Sequence, residues 1–386
     1  MTETDYRRTF SGRATRLAKS LAIGGALLLL GAIPGFAQTA TVFSGGEPAG
    51  KSDGYTTYEY NAAPFPVTYN DTLYLYGTAA DGKGYYTTYD GSQWTAYTGW
   101  DDQPTTYKWQ PTSVSNAGKQ YLFYTGQDNK IYHDTYDGQA WSGWEDISGA
   151  YTYAEAPYAN NYGDSVYLYA PATDGNVYYK SWAAGGWTEW AAVNDGNAAK
   201  ACQPYSLEWG EYENVFWTGE DGKVYWNRYN DAGWTGAKAL PGDTTFGYAS
   251  YATGYDGKLY SHAVSADGLP YYNVFTEGSG WTGWQAYPSA PAAKVSWQPS
   301  AYTYDDTQHV IYTGDDGHAY YISYAAGAWS DSWTDLGANY AYDPVQYEYG
   351  DGYYLTYTGQ DGGIYYKTYA DGAGAVEPTP TEEPGY

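Results

Sequence analysis

Residues 124–133 read Tyr124-Thr125-Gly126-Gln127-Asp128-Asn129-Lys130-Ile131-Tyr132-His133, and this stretch decides the fold. An acid opens a tight turn, and a tyrosine stands four residues after it. The pair returns seven times. The turn acids are Asp81, Asp128, Asp174, Asp221, Asp267, Asp316 and Asp361, spaced 47, 46, 47, 46, 49 and 45 residues apart. Their tyrosines are Tyr85, Tyr132, Tyr178, Tyr225, Tyr271, Tyr320 and Tyr365. A period of this length with aromatic, strand-like content marks a radially repeated β-architecture.

A second register runs outward from the first. A proline precedes the turn acid by 17 residues at Pro64, Pro111, Pro157, Pro204, Pro299 and Pro344, with Ser250 in the fifth repeat. A constant length over this segment implies two paired strands, because a one-residue slip would turn every side chain to the wrong face. The Asp-Gly step, Asp128-Asn129 in one repeat, predicts a two-residue hairpin loop with positive φ. The third strand carries the fixed tyrosine and, eight residues past the acid, another aromatic: Tyr89, Tyr136, Trp182, Tyr229, Phe275, Tyr324 or Tyr369. A fourth strand holds tryptophan pairs such as Trp141 with Trp144 and Trp281 with Trp284; the seventh repeat lacks it. The prediction is all-β: a seven-bladed β-propeller of four-stranded antiparallel blades, closed by an N-terminal strand near Thr41-Val42-Phe43. An unclosed edge would invite aggregation.

The hairpin Gly219-Glu220-Asp221-Gly222-Lys223-Val224-Tyr225, followed elsewhere by strings such as Trp141-Ser142-Gly143-Trp144, resembles the PLL-like seven-bladed β-propeller lectins, with tectonin-type propellers as more distant relatives. The resemblance covers residues 58–369. It implies shallow saccharide pockets between neighbouring blades, for fucose-type or O-methylated sugars. The abundance of tyrosine departs from that family's pattern.

Residues 1–37 read as a secretory signal. Arg7, Arg8, Arg13, Arg16 and Lys19 precede an apolar run over 21–36, and Gly35 and Ala37 suit a cut after Ala37. Arg7-Arg8-Thr9-Phe10 also resembles a twin-arginine export motif, although its long basic spacer favours ordinary secretion. Residues 38–57 form a Gly-rich segment that includes the closing strand, 58–369 the propeller, and 370–386 a Pro/Glu-rich tail expected to be disordered. The expected location is secreted or extracytoplasmic, in a bacterial cell envelope. The chain carries −26; losing a segment of net +3 leaves −29. Such a surface repels nucleic acid and anionic lipid, so no nucleic-acid partner and no membrane insertion after cleavage are expected. One cysteine, Cys202, excludes an intrachain disulfide.

Catalytic constellations are missing from the sequence. After cleavage Arg228 is the one arginine left, which rules out an arginine triad for a substrate carboxylate. His133, His262, His309 and His318 fall at different repeat positions. No HExxH or Cys/His metal spacing occurs. No catalytic residue, metal or cofactor is expected.

Binding fits the aromatic content better. Aromatics cluster in the connection before each proline. With polar residues that directly follow some of them, they give the candidate saccharide-binding set Tyr60, Tyr107, Trp109, Gln110, Tyr153, Tyr248, Trp297, Gln298, Tyr342 and Asp343. An aromatic plate stacks on the apolar face of a sugar while amides and carboxyls bond its hydroxyls. The fourth connection, Lys200-Ala201-Cys202, lacks a plate and is expected to be a dead site. The predicted function is an exported, multivalent, non-enzymatic carbohydrate-binding propeller acting on glycans or polysaccharide at a cell surface or in a matrix. A protein-interaction or envelope scaffold with a protein partner is the rival reading, and a glycoside hydrolase the third.

Overall fold

The computed structural model describes residues 42–49, 59–100, 102–183, 185–200, 202–295 and 297–370. The expected signal peptide and C-terminal tail lie outside these residues. Strand after strand pairs antiparallel, and the strands sort into seven sheets, each from one repeat. Blade 2 is representative, with Thr112–Asn116, Lys119–Thr125 and Ile131–Tyr136 followed by the short outer segment Glu145–Asp146. The first strands of the blades, from Phe65–Tyr69 round to Val345–Tyr349, touch one another in cyclic order, and the last meets the first. That closed cycle makes a seven-bladed propeller with the first strands innermost.

The closing strand is where the sequence places it. Val42–Pro48 pairs antiparallel with Ile364–Ala370, aligning Phe43 with Tyr369, and so completes blade 7. The other outer strands are broken into short pieces. In blade 5, Gly280–Trp281 and Gln285–Ala286 pair separately with the third strand. The break frees the second tryptophan to turn inward, so that Trp284 lies 4.3 Å from Phe246.

The Asp–Tyr signature has a direct physical cause. In six blades the tyrosine hydroxyl donates to the turn acid's Oδ2 at 2.5–3.0 Å. The acid's Oδ1 accepts the amide two residues on, as from Lys83 to Asp81 at 2.9 Å. In blade 5 the Ser265 hydroxyl donates to Asp267 instead. The loop is longer than the two-residue hairpin expected. Gly82 N–H bonds Ala79 O at 2.9 Å, and Ala79 N–H bonds Lys83 O at 3.0 Å. The acid side chain organises the turn, while Gly82 (φ 78°) or Asn129 (φ 63°) takes the left-handed conformation.

Each blade is tied to the next at both ends. On one face, the carbonyl of the turn Gly or Asn accepts an amide from the following connection, as from Tyr107 to Gly82 at 2.7 Å and from Tyr60 to Gly362 at 2.8 Å. On the opposite face, tyrosines ending five of the first strands reach the next blade's hairpin. Tyr69 donates to Gly118 O, Tyr162 to Glu211 O, Tyr255 to Asp306 O, Tyr304 to Asp351 O and Tyr349 to Asp71 O, at 2.7–3.2 Å. The last of these closes the ring from blade 7 to blade 1. A net contribution of about 1 kcal/mol per bond makes these ties a substantial substitute for disulfides.

Candidate functional site

The connections cross the turn face, and their residues alternate between the interior and the surface. Four residues before the proline register the side chain is buried: Tyr60, Tyr107, Tyr153, Phe246, Val295 and Tyr340 are all 5% exposed or less. Tyr107 stacks 3.8 Å from Tyr124, and Tyr153 lies 5.1 Å from Trp190. Tyr60, Tyr107 and Tyr153 are therefore wedges between blades and present no face to a ligand. The sequence reading grouped them with the surface aromatics because it counted residues per connection and not their two-residue alternation.

Two residues before the register the side chain faces out. Trp109, Tyr248, Trp297 and Tyr342 occupy this place. Tyr248 and Trp297 are 36% and 39% exposed. Ring centroids are 6.5 Å apart from Tyr248 to Trp297 and 5.8 Å from Trp297 to Tyr342, so blades 5 to 7 carry a continuous aromatic arc. Its backbone is pinned from the preceding blades: Thr218 Oγ1 donates to Tyr248 O at 2.7 Å, and Thr313 Oγ1 to Tyr342 O at 3.2 Å. Trp109 stands apart. Its indole N–H is committed to Ala154 O at 2.9 Å, with the Lys108 ammonium 5.8 Å over the ring.

The polar candidates lie one residue closer to the first strand. Gln110 Nε2 donates to Gln203 Oε1 at 3.3 Å, and Gln203 Nε2 donates to Pro157 O at 2.7 Å. Gln298 and Asp343 are half-buried beside the arc. Desolvation holds the Asp343 carboxyl well above the usual carboxylate range. The fourth connection has no plate, and burial pushes the Cys202 thiol up to about 11.

A second surface escaped the sequence reading. A cleft of about 260 Å³ opens between blades 5 and 6. Its walls are Tyr260 and Tyr272 of blade 5 and Tyr324 of blade 6, and its polar lining is Lys258, Thr282 and Gln285. Tyr324 lies 5.8 Å from Tyr260, and both it and Tyr272 rest on Trp329, at 5.0 and 5.1 Å. Tyr272 Oη donates to Gln285 Oε1 at 3.1 Å, and Gln285 Nε2 donates to Thr282 Oγ1 at 3.1 Å. The cleft thus joins ring faces to an amide, hydroxyls and an ammonium. The available signal was the placement of Tyr272, Val274 and Thr276 on one side of the third strand, opposite the side that carries the fourth and eighth positions after the acid.

Among the described residues no group of three or more His, Cys, Asp or Glu is placed to hold a metal. Burial moves several titratable groups away from charge. Glu155 is pushed up to about 7 and Glu213 to about 8, while His262 and His309 are pulled down to about 3 and about 4. Glu213 is sealed between blades 3 and 4, and both of its carboxyl oxygens accept from Asn160 Nδ2, at 3.0 and 3.3 Å.

No protein-family model matches the chain, and no curated protein sequence does. Solved structures do. The BP39L lectin of Burkholderia pseudomallei is 16% identical with a TM-score of 0.69, over 80% of this chain and 96% of the lectin. BBS1N, solved in complex with ARL6DN, is 13% identical with a TM-score of 0.57, over 86% of this chain and 98% of that one. At such identity the likeness shows a shared fold. One of the two is a lectin and the other was solved with a protein partner, so architecture alone does not choose between these roles.

Proposed function

We propose that this protein is an exported, non-enzymatic, multivalent carbohydrate-binding propeller acting on neutral glycans or polysaccharide outside the cytoplasm. The observation that carries the reading is the cleft between blades 5 and 6. A sugar ring has one apolar face and an edge of hydroxyls. The cleft matches both, with tyrosine rings for the face and Lys258, Thr282 and Gln285 for the edge. The arc Tyr248–Trp297–Tyr342 adds a stacking surface, with Gln298 and Asp343 beside it as polar partners. Several weak sites on one rigid disc give avidity to a repeating glycan. The likeness to a lectin propeller supports the reading, and so does the absence from the sequence of an arginine triad or metal-binding motif.

Calorimetry of residues 38–386 against a panel of neutral methyl glycosides, including fucoside and O-methylated sugars, tests it. Binding to at least one sugar, lost in Tyr272→Ala with the fold intact, is expected. A fully negative panel overturns the reading. One observation favours a protein-interaction role instead. The exposed large hydrophobics among the described residues, Tyr248, Leu269 and Trp297, all stand on the turn face, on the connections or turns of blades 5 and 6. That role requires Trp297→Ala to abolish capture of a specific protein partner while saccharides never bind.

A further inference from the structure

The blades repeat most closely in pairs. At one place in the second strand, eight residues before the turn acid, the even blades carry Gln120, Glu213 and Gln308, whereas blades 1, 3 and 5 carry Leu73, Val166 and Leu259. Directly before the proline the even blades carry Gln110, Gln203 and Gln298, and those odd blades carry Ala63, Ala156 and Ala249. The junctions between blades follow the same alternation, and they come in two chemical classes.

Wherever an odd blade meets its successor, three tyrosines and a tryptophan gather. From blade 1 to blade 2 these are Tyr74, Tyr86, Tyr136 and Trp141, in a closed circuit of ring centroids 6.0, 6.4, 5.2 and 6.2 Å apart. From blade 3 to blade 4 the circuit is Tyr167, Tyr179, Trp234 and Tyr229, at 6.3, 5.1, 5.3 and 6.0 Å. From blade 5 to blade 6 the same positions are Tyr260, Tyr272, Trp329 and Tyr324; the three tyrosines wall the cleft already described, and Trp329 packs against Tyr272 and Tyr324. Across the ring closure, from blade 7 to blade 1, they are Tyr354, Tyr366, Trp94 and Tyr89; here Trp94 lies 5.6 Å from Tyr366 and 5.0 Å from Tyr89.

The even exits differ, because the chain seats a cation of its own on their aromatic walls. From blade 2 to blade 3 the Lys180 ammonium stands 5.6 Å over Trp187 and 5.1 Å over Trp190, and it donates to Ile147 O at 3.1 Å. From blade 4 to blade 5 the Arg228 guanidinium lies 4.2 Å over Tyr212 and 5.1 Å over Trp226, and it grips Glu277 with two bonds at 2.9 and 3.3 Å. From blade 6 to blade 7 the Lys367 ammonium sits 5.4 Å over Tyr340, while His309 packs 4.9 Å from Tyr353 and 5.0 Å from Tyr369. Lys180 and Lys367 are buried and Arg228 is ion-paired, so each even exit carries a fixed charge among its rings. Among the described residues no lysine or arginine stands over the rings of an odd exit. Lys258 lines the blade 5 to blade 6 cleft, and His262 is fully buried, with Nδ1 2.7 Å from the Tyr287 hydroxyl.

We propose that ligand binding between blades is confined to the four odd exits, each taking one uncharged, pyranose-sized ring against its three tyrosines and one tryptophan. The proposal rests on the carbohydrate reading and adds which junctions are live. Its physical basis is that an apolar face with phenolic hydroxyls offers stacking and hydrogen bonds to a ring whose place no cation holds over the aromatics. Burial keeps those phenols protonated, since Tyr74, Tyr167 and Tyr260 are all raised well above the usual range by desolvation.

Calorimetry and native mass spectrometry of residues 38–386, with whichever neutral glycoside of the panel binds, test the assignment. Four equivalents at the class of site carrying the odd-exit tyrosines are expected, beside any that Trp297→Ala removes. Tyr86→Ala, Tyr179→Ala, Tyr272→Ala and Tyr366→Ala should each remove one equivalent, and Trp226→Phe in an even exit should remove none. Where an alanine variant fails to fold, the matching Tyr→Phe keeps the packing; loss of one hydroxyl contact should weaken that site about tenfold. Seven equivalents, or loss of an equivalent on changing an even exit, overturns this assignment and leaves the carbohydrate reading standing. Absence of binding by every sugar overturns both.

Discussion

Glutamine in place of Glu213 should stabilise the protein, and more so as the pH rises. Glu213 lies inside the junction of blades 3 and 4, with no exposed surface. Burial lifts its carboxyl from 4.5 to about 8, although the polar side chains of Asn160, Ser206 and Tyr169 partly offset that cost. An unfolded chain releases this proton at its ordinary value, whereas the folded chain holds it until about pH 8. Stability from this group is therefore full below about pH 4.5, falls by about 1.4 kcal/mol per pH unit above it, and levels off beyond about pH 8. The loss comes to about 3 kcal/mol at pH 7 and about 5 kcal/mol at pH 8 on that slope. Glutamine does not titrate, and blade 2 shows that the site accepts it: Gln120 is equally buried there and donates to the Tyr76 hydroxyl at 2.5 Å. Other raised carboxyls, such as Asp343, titrate alike in both proteins and cancel in the comparison. Thermal unfolding of wild type and Glu213→Gln from pH 4.5 to 8.5 should start level and diverge, by on the order of 10 °C at pH 8. Parallel curves, or a variant less stable at pH 8, would refute the argument that this carboxyl is proton-bound in the fold.

Removing residues 38–57 deletes the strand Val42–Pro48 and bares the edge of Ile364–Ala370. The melting temperature should fall and the truncated chain should self-associate, as light scattering would show. The two aromatic places in the connections should separate cleanly. Tyr107→Ala removes a wedge stacked at 3.8 Å on Tyr124 and should cost about 3–5 kcal/mol in denaturant unfolding. Trp297→Ala should change stability by about 0.5 kcal/mol or less and show its effect in ligand binding instead.

The repeat was legible because one hydrogen bond fixes two residue types four positions apart. Asp128 and Tyr132 read as a motif for the reason that Tyr132 Oη bonds Asp128 Oδ2 at 2.8 Å. The closing strand was legible from what blade 7 lacks. Exposure was harder to read, because Tyr107 and Trp109 are chemically alike and two residues apart, and the local backbone alone decides which one turns inward. The cleft was harder still. It belongs to no single repeat: Tyr272 and Tyr324 are 52 residues apart in sequence and meet only where two blades face each other. Aligning every repeat with the next also hid the pairing of blades, which shows when every second repeat is compared. The three glutamines before Pro111, Pro204 and Pro299 carry that signal in plain view.

The tyrosine excess has an explanation in these same junctions. A ring without disulfides needs its seams tied at both faces, and a side chain that does so must cross an apolar gap and end in a hydrogen bond. Phenylalanine fills the gap and lacks the bond; serine makes the bond and falls short. Tyrosine does both across the seams at five hairpin carbonyls, and inside six blades it braces the turn acid, so much of the excess is structural. Phenols spent on these ties are unavailable to a ligand. The odd-exit tyrosines Tyr86, Tyr179, Tyr272 and Tyr366 belong to neither set of ties, and all four remain half-exposed. Recognition in this fold therefore falls to the tyrosines that the seams leave over, and the seams leave them at alternate junctions.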